Sequence, residues 1–341
     1  MQSTALVPGL LGPPSELADR ARWIKYASEG LVSDGLADLL SSARPESDPF
    51  DAIALESIVC KAFGLHGEGA DDWPIATHSY RYDFDEEPPS PVYRVDPVYV
   101  RPGLSDVHVT LAAELSLELV DAMTLVDELN QHFAGDPGRV VAGHPHRWYL
   151  QDTEFQPTAT TAPTLAASGL VTELYPGAGN ASQWRSFLNE AQMVLHASST
   201  NERRRLKGLP TINSLWLWGG GAPVVPEQRW RSLDSDDVLA AALWDARDEY
   251  VQGDALVVVT SMYLPAIRQD IEQWRHAFSA FVEHQLPSLC SALEESSVAA
   301  LRLHPGFGPM FNCHRQSGWS FLKKRKRLDE LVGDLEASFE N

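Results

Sequence analysis

Residues 254–262, Asp-Ala-Leu-Val-Val-Val-Thr-Ser-Met, form a continuous β-branched run with no polar alternation. A strand of that kind needs apolar cover on both faces, which is the condition of a parallel sheet packed between helices. The chain around it fits this demand. Strand-like runs at 4–11, 92–100, 107–112, 147–150, 214–218 and 298–303 are interspersed with apolar residues at helical spacing over 15–28, 31–43, 50–64, 117–133, 182–198, 234–250 and 268–293, and with a terminal amphipathic helix. The expected fold is α/β: a mixed, largely parallel sheet flanked by helices, with a smaller α/β part. An acidic, proline-rich loop at 82–91 and an aperiodic Thr/Ala/Pro/Gly stretch at 151–180 suggest three parts: 1–90, 91–180 and 181–341, the last holding the main core.

Charge excludes some partners. With 27 Lys and Arg against 47 Asp and Glu, the net charge is −20, which disfavours nucleic acid and anionic membrane surfaces. The single basic run, 323–327, reads as the solvated face of the terminal helix. Cys60, Cys290 and Cys313 form no CxxC pair, and the first residues lack the basic start of a secretion signal, so a reduced cytoplasmic setting is expected. No segment approaches the roughly 18 apolar residues that span a bilayer.

The densest polar constellation is LNEAQMVLHASSTNERRRLKGLPTIN, followed by SLWLWGGG. Asn189, Gln192 and His196 fall about one turn apart on a helix, with Glu190 beside them. Asn201, Arg204 and Lys207 follow in what reads as a basic loop, and Asn213 leads into a strand whose exit is Gly219, Gly220 and Gly221. Arginine forks and free backbone N–H groups beside a strand exit suit a phosphate or carboxylate, so a small anionic metabolite is the expected ligand; a solvated basic linker is the plainer alternative. Trp216 and Trp218 alternate onto one face and are expected to be packed. His144 and His146 share one side of an extended segment, and with Asp96 from RVDPVYVRP they are metal-ligand candidates, to which His132, Asp136 and His196 could add, set against a hydrogen-bonded surface pair and a turn aspartate. Neither a phosphate-binding GxxxxGK[ST] or GxGxxG loop nor a GxSxG elbow occurs.

The segment from Leu188 to Pro226, together with RVDPVYVRP and HRWYL, resembles the signature of the Rpf-cluster regulatory proteins, also described as phosphoglycerate mutase-like and cofactor-independent. It is more remotely similar to archaeal-type cofactor-independent phosphoglycerate mutases of the alkaline phosphatase superfamily. The resemblance implies an alkaline-phosphatase-like α/β core and, in an active member, two divalent metals, manganese or zinc, that activate a serine or threonine. It carries the ligand-binding role onto Asn189, Glu190, Gln192, His196, Asn201, Arg204, Lys207, Asn213 and the three glycines. Metal ligands do not carry over: no Asp-Gly follows the first strand, no Asp-His pair occurs in the sequence, and no carboxylate lies near His304 or His314 in HPGFGPMFNCH. The expected function is thus a phosphoglycerate mutase-like protein that binds a small phosphorylated or carboxylated metabolite. The alternative is a non-catalytic regulator, sensor or adaptor that meets a protein partner or a second copy of itself.

Overall fold

The computed structural model describes residues 2–41, 43–65, 73–103, 107–136, 138–155, 159–171, 181–246, 253–294, 298–314 and 327–339. Most of the basic run at 323–327 and part of the 151–180 stretch lie outside them. The strands among these residues are, in chain order, β1 (Gln2–Leu6), β2 (Arg44–Glu46), β3 (Val92–Pro102), β4 (Val107–Thr110), β5 (Arg139–His144), β6 (Arg147–Gln151), β7 (Ser214–Trp218), β8 (Trp230–Ser235), β9 (Asp254–Val258), β10 (Ala300–His304) and β11 (Met310–Cys313). The chain forms two compact units, one of Met1–Phe63, Glu227–Ala241 and Asp248–Asn341, the other of Gly64–Pro226 and Ala242–Arg247. The main divisions therefore fall at 63/64 and 226/227, where sequence composition places them near 90 and 180.

The first unit is built on a sheet of order β2-β11-β10-β1-β9-β8. β1 pairs in parallel with β9 on one side and β10 on the other, and β8 extends the parallel part beyond β9. β11 runs antiparallel to β10 and to β2. This is the mixed, largely parallel sheet expected from the 254–262 run. Burial is deepest one strand away from that run: Thr4, Ala5 and Leu6 of β1 are 0–1% exposed, while Ala255 and Val257 of β9 are only partly covered. The helical core against the sheet includes Trp23, Trp274 and Phe278, with Trp23 and Trp274 edge to face at 5.2 Å and Trp274 stacked on Phe278 at 4.7 Å.

Local chemistry explains where elements begin and end. Asp19 caps the helix Arg20–Ala27 by accepting from the Arg22 N–H at 2.9 Å. The helical pattern over 268–293 divides into Ile271–His284 and Leu286–Glu294, because Pro287 has no N–H to continue the first helix and suits the first turn of a second. The pattern over 234–250 starts as strand: β8 runs to Ser235, and Asp237 accepts from the Ala240 N–H at 2.8 Å where the helix Val238–Asp245 begins.

The second unit has an antiparallel sheet of order β4-β3-β6-β5, with β7 paired to β3. Arg94 lies opposite Trp218 and Asp96 opposite Trp216. β7 is buried over its whole length: Leu215 and Leu217 join the core beneath the helix Ala181–Ala197, and Trp216 and Trp218 alternate with them along the strand. The glycine-ended strand is therefore part of an antiparallel sheet and not of the parallel core to which the sequence reading assigned it.

After β1 the chain does not surface. Residues 7–14, Val-Pro-Gly-Leu-Leu-Gly-Pro-Pro, are all buried. Gly9 makes this possible, with φ at +82° and a position where a Cβ would lie 2.6 Å from the Met262 carbonyl oxygen. Gly9→Ala is expected to cost at least about 1 kcal/mol, since it combines left-handed strain with a backbone clash. A urea unfolding midpoint unchanged from the parent protein would contradict this packing.

Candidate functional site

The three motifs that carry the family resemblance meet in the second unit. β3 brings Arg94 and Asp96, β6 brings Arg147, Trp148 and Tyr149, and β7 brings Trp218. Arg94 donates to both carboxylate oxygens of Asp96, from Nε at 2.9 Å and from Nη2 at 2.8 Å to each, with side chains only 7% and 9% exposed. Its guanidinium lies 5.3 Å from the Tyr149 ring centre and 5.0 Å from that of Trp218, within cation–π range. Asp96 also accepts from the Trp148 N–H at 3.2 Å and from Trp218 Nε1 at 2.7 Å. Burial pushes its carboxyl above the usual carboxylate range, against the pull of Arg94 and the two tryptophan donors. Next to this pair, Asp83 accepts a bidentate fork from Arg147 and the Tyr149 hydroxyl at 2.6 Å.

This geometry decides the metal candidates. Asp96 is engaged by Arg94, Trp148 and Trp218, so both its oxygens are already taken by donors and it does not offer itself to a metal. His144 and His146 do sit together, with ring centres 5.0 Å apart, but burial lowers both imidazole pKa values and the nearby Arg147 guanidinium, a charge that repels a cation, lowers them further. The set does not fit a divalent metal. Among the described residues no group of three or more His, Cys, Asp or Glu side chains is placed to hold one.

The basic stretch is a helix, Ser199–Leu206, and not a loop. Ser198 caps it and Gly208, with φ at +71°, follows its end. Arg204 points inward: its Nε donates to the Pro210 carbonyl at 2.9 Å, Nη1 to Ser116 at 3.3 Å and Nη2 to Leu115. Asn201, 1% exposed, bridges the Leu195 and Ile212 carbonyls and accepts from the Ile212 N–H. Asn213 pairs through its amide with both backbone groups of Val100. These three residues tie chain segments together and present no fork to an anion.

The remaining candidates scatter. Gln192 donates to the Ser214 hydroxyl at 3.0 Å, and Glu190 meets His132 at 3.3 Å and Ser186 at 3.1 Å. Asn189, His196 and Lys207 are exposed. The glycines serve packing: the Gly219 carbonyl accepts from the Ala76 N–H at the start of the helix Ala76–Phe84, and a Cβ on Gly220 would lie 2.1 Å from the Tyr93 ring. Gly221 has φ at +131° and lies against Pro74.

In the first unit, the carboxyl end of β10 holds a pair that sequence spacing missed. His304 Nδ1 lies 2.9 Å from Asp48 Oδ1, and the imidazole stacks on Phe50 at 4.6 Å. A carboxylate does accompany His304, supplied from 256 positions away. The pair is sealed, at 2% and 0% side-chain exposure. Asp51 stands close by, accepting from the Gly308 N–H at 3.1 Å; burial and the charge of Asp48 raise its pKa against that bond. At the ends of β8 and β9, Asp236 accepts from both the N–H and the hydroxyl of Thr260.

No family profile matches the chain, and none of the curated proteins is similar to it. Among solved structures it is similar to a cofactor-independent phosphoglycerate mutase from Thermoplasma acidophilum DSM 1728, at 14% identity over 99% of each chain with a TM-score of 0.38. It is also similar to PH0037 protein from Pyrococcus horikoshii, at 12% identity over 98% of this chain and 96% of that one, with a TM-score of 0.46. No helix among the described residues is long and apolar enough to cross a membrane.

Two outcomes follow from these side chains. Arg204→Met leaves the carbonyls of Leu115, Ser116 and Pro210 without their donor and is expected to lower stability by roughly 2–4 kcal/mol in urea unfolding. Burial, His144 and Arg147 lower the His146 pKa from the ordinary 6.5 to about 4. Between those values the unfolded chain binds a proton that the folded one rejects, so the contribution of His146 to stability is lost as pH falls from 6.5 towards 4. His146→Asn should flatten that part of the stability profile, and an imidazole titrating near 6.5 by NMR would refute the assignment.

Proposed function

We propose that the protein works by binding, as a regulatory or sensor protein on an α/β frame, and does not transfer phosphoryl groups. The observation that carries this reading is the burial of residues 7–14 at the carboxyl end of β1. In open α/β sheets ligands and reacting groups lie in the crevice outside the carboxyl ends of the parallel strands. Here the chain itself lies there. The Val7 N–H donates to the His304 carbonyl, the Gly9 N–H to the Pro305 carbonyl and Trp274 Nε1 to the Gly9 carbonyl, while Pro8 packs on Gly306.

A small phosphorylated or carboxylated metabolite is the ligand class that the family resemblance implies, with His196 and Lys207 as exposed residues still able to meet it. A protein partner or a second copy of the chain is the other class. One further reading has an observation in its favour. The Asp48–His304 pair is a carboxylate and an imidazole at the end of a parallel strand, a position from which the pair could serve metal-dependent phosphoryl transfer.

Mutase and phosphatase assays with phosphoglycerates and a chromogenic phosphate ester, in the presence of Mn, Zn or Mg, separate these readings. The expected result is no turnover above buffer. Turnover that disappears in His304→Gln and Asp48→Asn would overturn the binding reading in favour of phosphoryl transfer. In parallel, a phosphoglycerate at one hundred times its dissociation constant would add about 2.7 kcal/mol to stability. No shift with any such anion would remove that ligand class.

A further inference from the structure

The second unit contains a cavity of about 240 Å³ that shares only Glu190 with the ligand-binding residues implied by the family resemblance. It lies between the helices Leu119–His132 and Ala181–Ala197 and the β5–β6 hairpin. Its floor is apolar: Val140, Leu150 and Phe187 are 2%, 3% and 6% exposed, and Phe133 and Phe155 complete it. The aromatic rings support one another, with Phe133 to Phe187 at 4.9 Å and Phe155 to Phe187 at 5.9 Å. An apolar cavity on the order of 150 Å³ takes up benzene, so this one has room for a ring with a short chain.

The rim differs from the floor in a way that selects charge. Gln183, Ser186, Asp136 and Glu190 stand at the solvent side. Two of these are carboxylates, and among the described residues that line the cavity there is no lysine or arginine. Glu190 is half-exposed at 46% and is held over the mouth by Ser186 at 3.1 Å and His132 at 3.3 Å. Asn130 is occupied with both backbone groups of Val140, which fixes the wall without presenting a competing donor. An apolar floor with carboxylates at the mouth favours a ligand that has an apolar body and a cationic end.

We infer that this cavity is a binding site for a small aromatic amine, with the ring on Phe187 and Leu150 and the ammonium at Glu190 and Asp136. That preference is opposite in sign to the anionic metabolite implied for this region by the family resemblance, and it does not depend on whether the first unit is catalytic.

Isothermal titration calorimetry with 2-phenylethylamine, 2-phenylethanol and phenylacetate tests the site. The expected order is amine, then alcohol, then acid, with about tenfold or more between the first and the last and a narrower gap at high salt. Glu190→Gln should bring the amine close to the alcohol without weakening the alcohol. Ser186→Trp, at an exposed helical position that leaves the core unchanged, should block the mouth and abolish binding of both. Absence of saturable amine binding, equal binding of phenylacetate, or full binding by Ser186→Trp would each overturn the assignment, and none of these bears on the phosphoglycerate assays.

Discussion

The ion pair of Arg94 and Asp96 organises the second unit. Charges so deeply buried are tolerated only when almost every hydrogen-bonding direction is met, and removing one partner of such a pair typically costs roughly 3–5 kcal/mol. Here the directions are met by Trp148 and Trp218 for the carboxylate and by Ser79 with two aromatic faces for the guanidinium. Because the two tryptophan donors come from β6 and β7 and the Ser79 acceptor from the helix Ala76–Phe84, satisfying the pair fixes how those elements lie against β3. The tryptophan at the end of β7 is thus a hydrogen-bond donor to the core as well as apolar mass, and the glycines that follow let the strand end close against Tyr93 and Ile75.

The two sheets handle their polar groups in contrasting ways. The antiparallel sheet concentrates them at its centre and leaves an aromatic cavity at its flank. In the largely parallel sheet the polar groups lie at the strand ends and bond to one another, Asp48 with His304 and Asp236 with Thr260.

Much of this was legible in the sequence where local chemistry decides the outcome. The β-branched run at 254–262 led to a largely parallel sheet with helical cover, and the apolar stripe from Trp184 to Leu195 to a helix over a core. The basic stretch carries helix signals that outweigh its resemblance to a loop: Ser198 as a cap, a run of good helix formers, and Gly208 as a stop. Three consecutive arginines suggested solvent, yet helical geometry turns Arg204 inward while Arg203 and Arg205 stay out. Asp48 with His304, and β7 with β3, were beyond reach for another reason. Each pairing joins residues far apart in the chain, and nothing in the local sequence of either partner specifies the other.

β1 leaves the ribosome long before its partners, Asp254–Val258 and Ala300–His304. The whole segment Gly64–Pro226, which makes up most of the second unit, is synthesised in between. The strand with the deepest burial in its sheet therefore waits through the synthesis of some 250 residues for its first neighbour. Pairing across that separation gives a high contact order and slow closure of the parallel sheet, whereas β3, β6 and β7 have their partners within one continuous segment. Translation thus delivers the segment Gly64–Pro226, whose strands can pair early, before the central strand of the other sheet has met either of its neighbours.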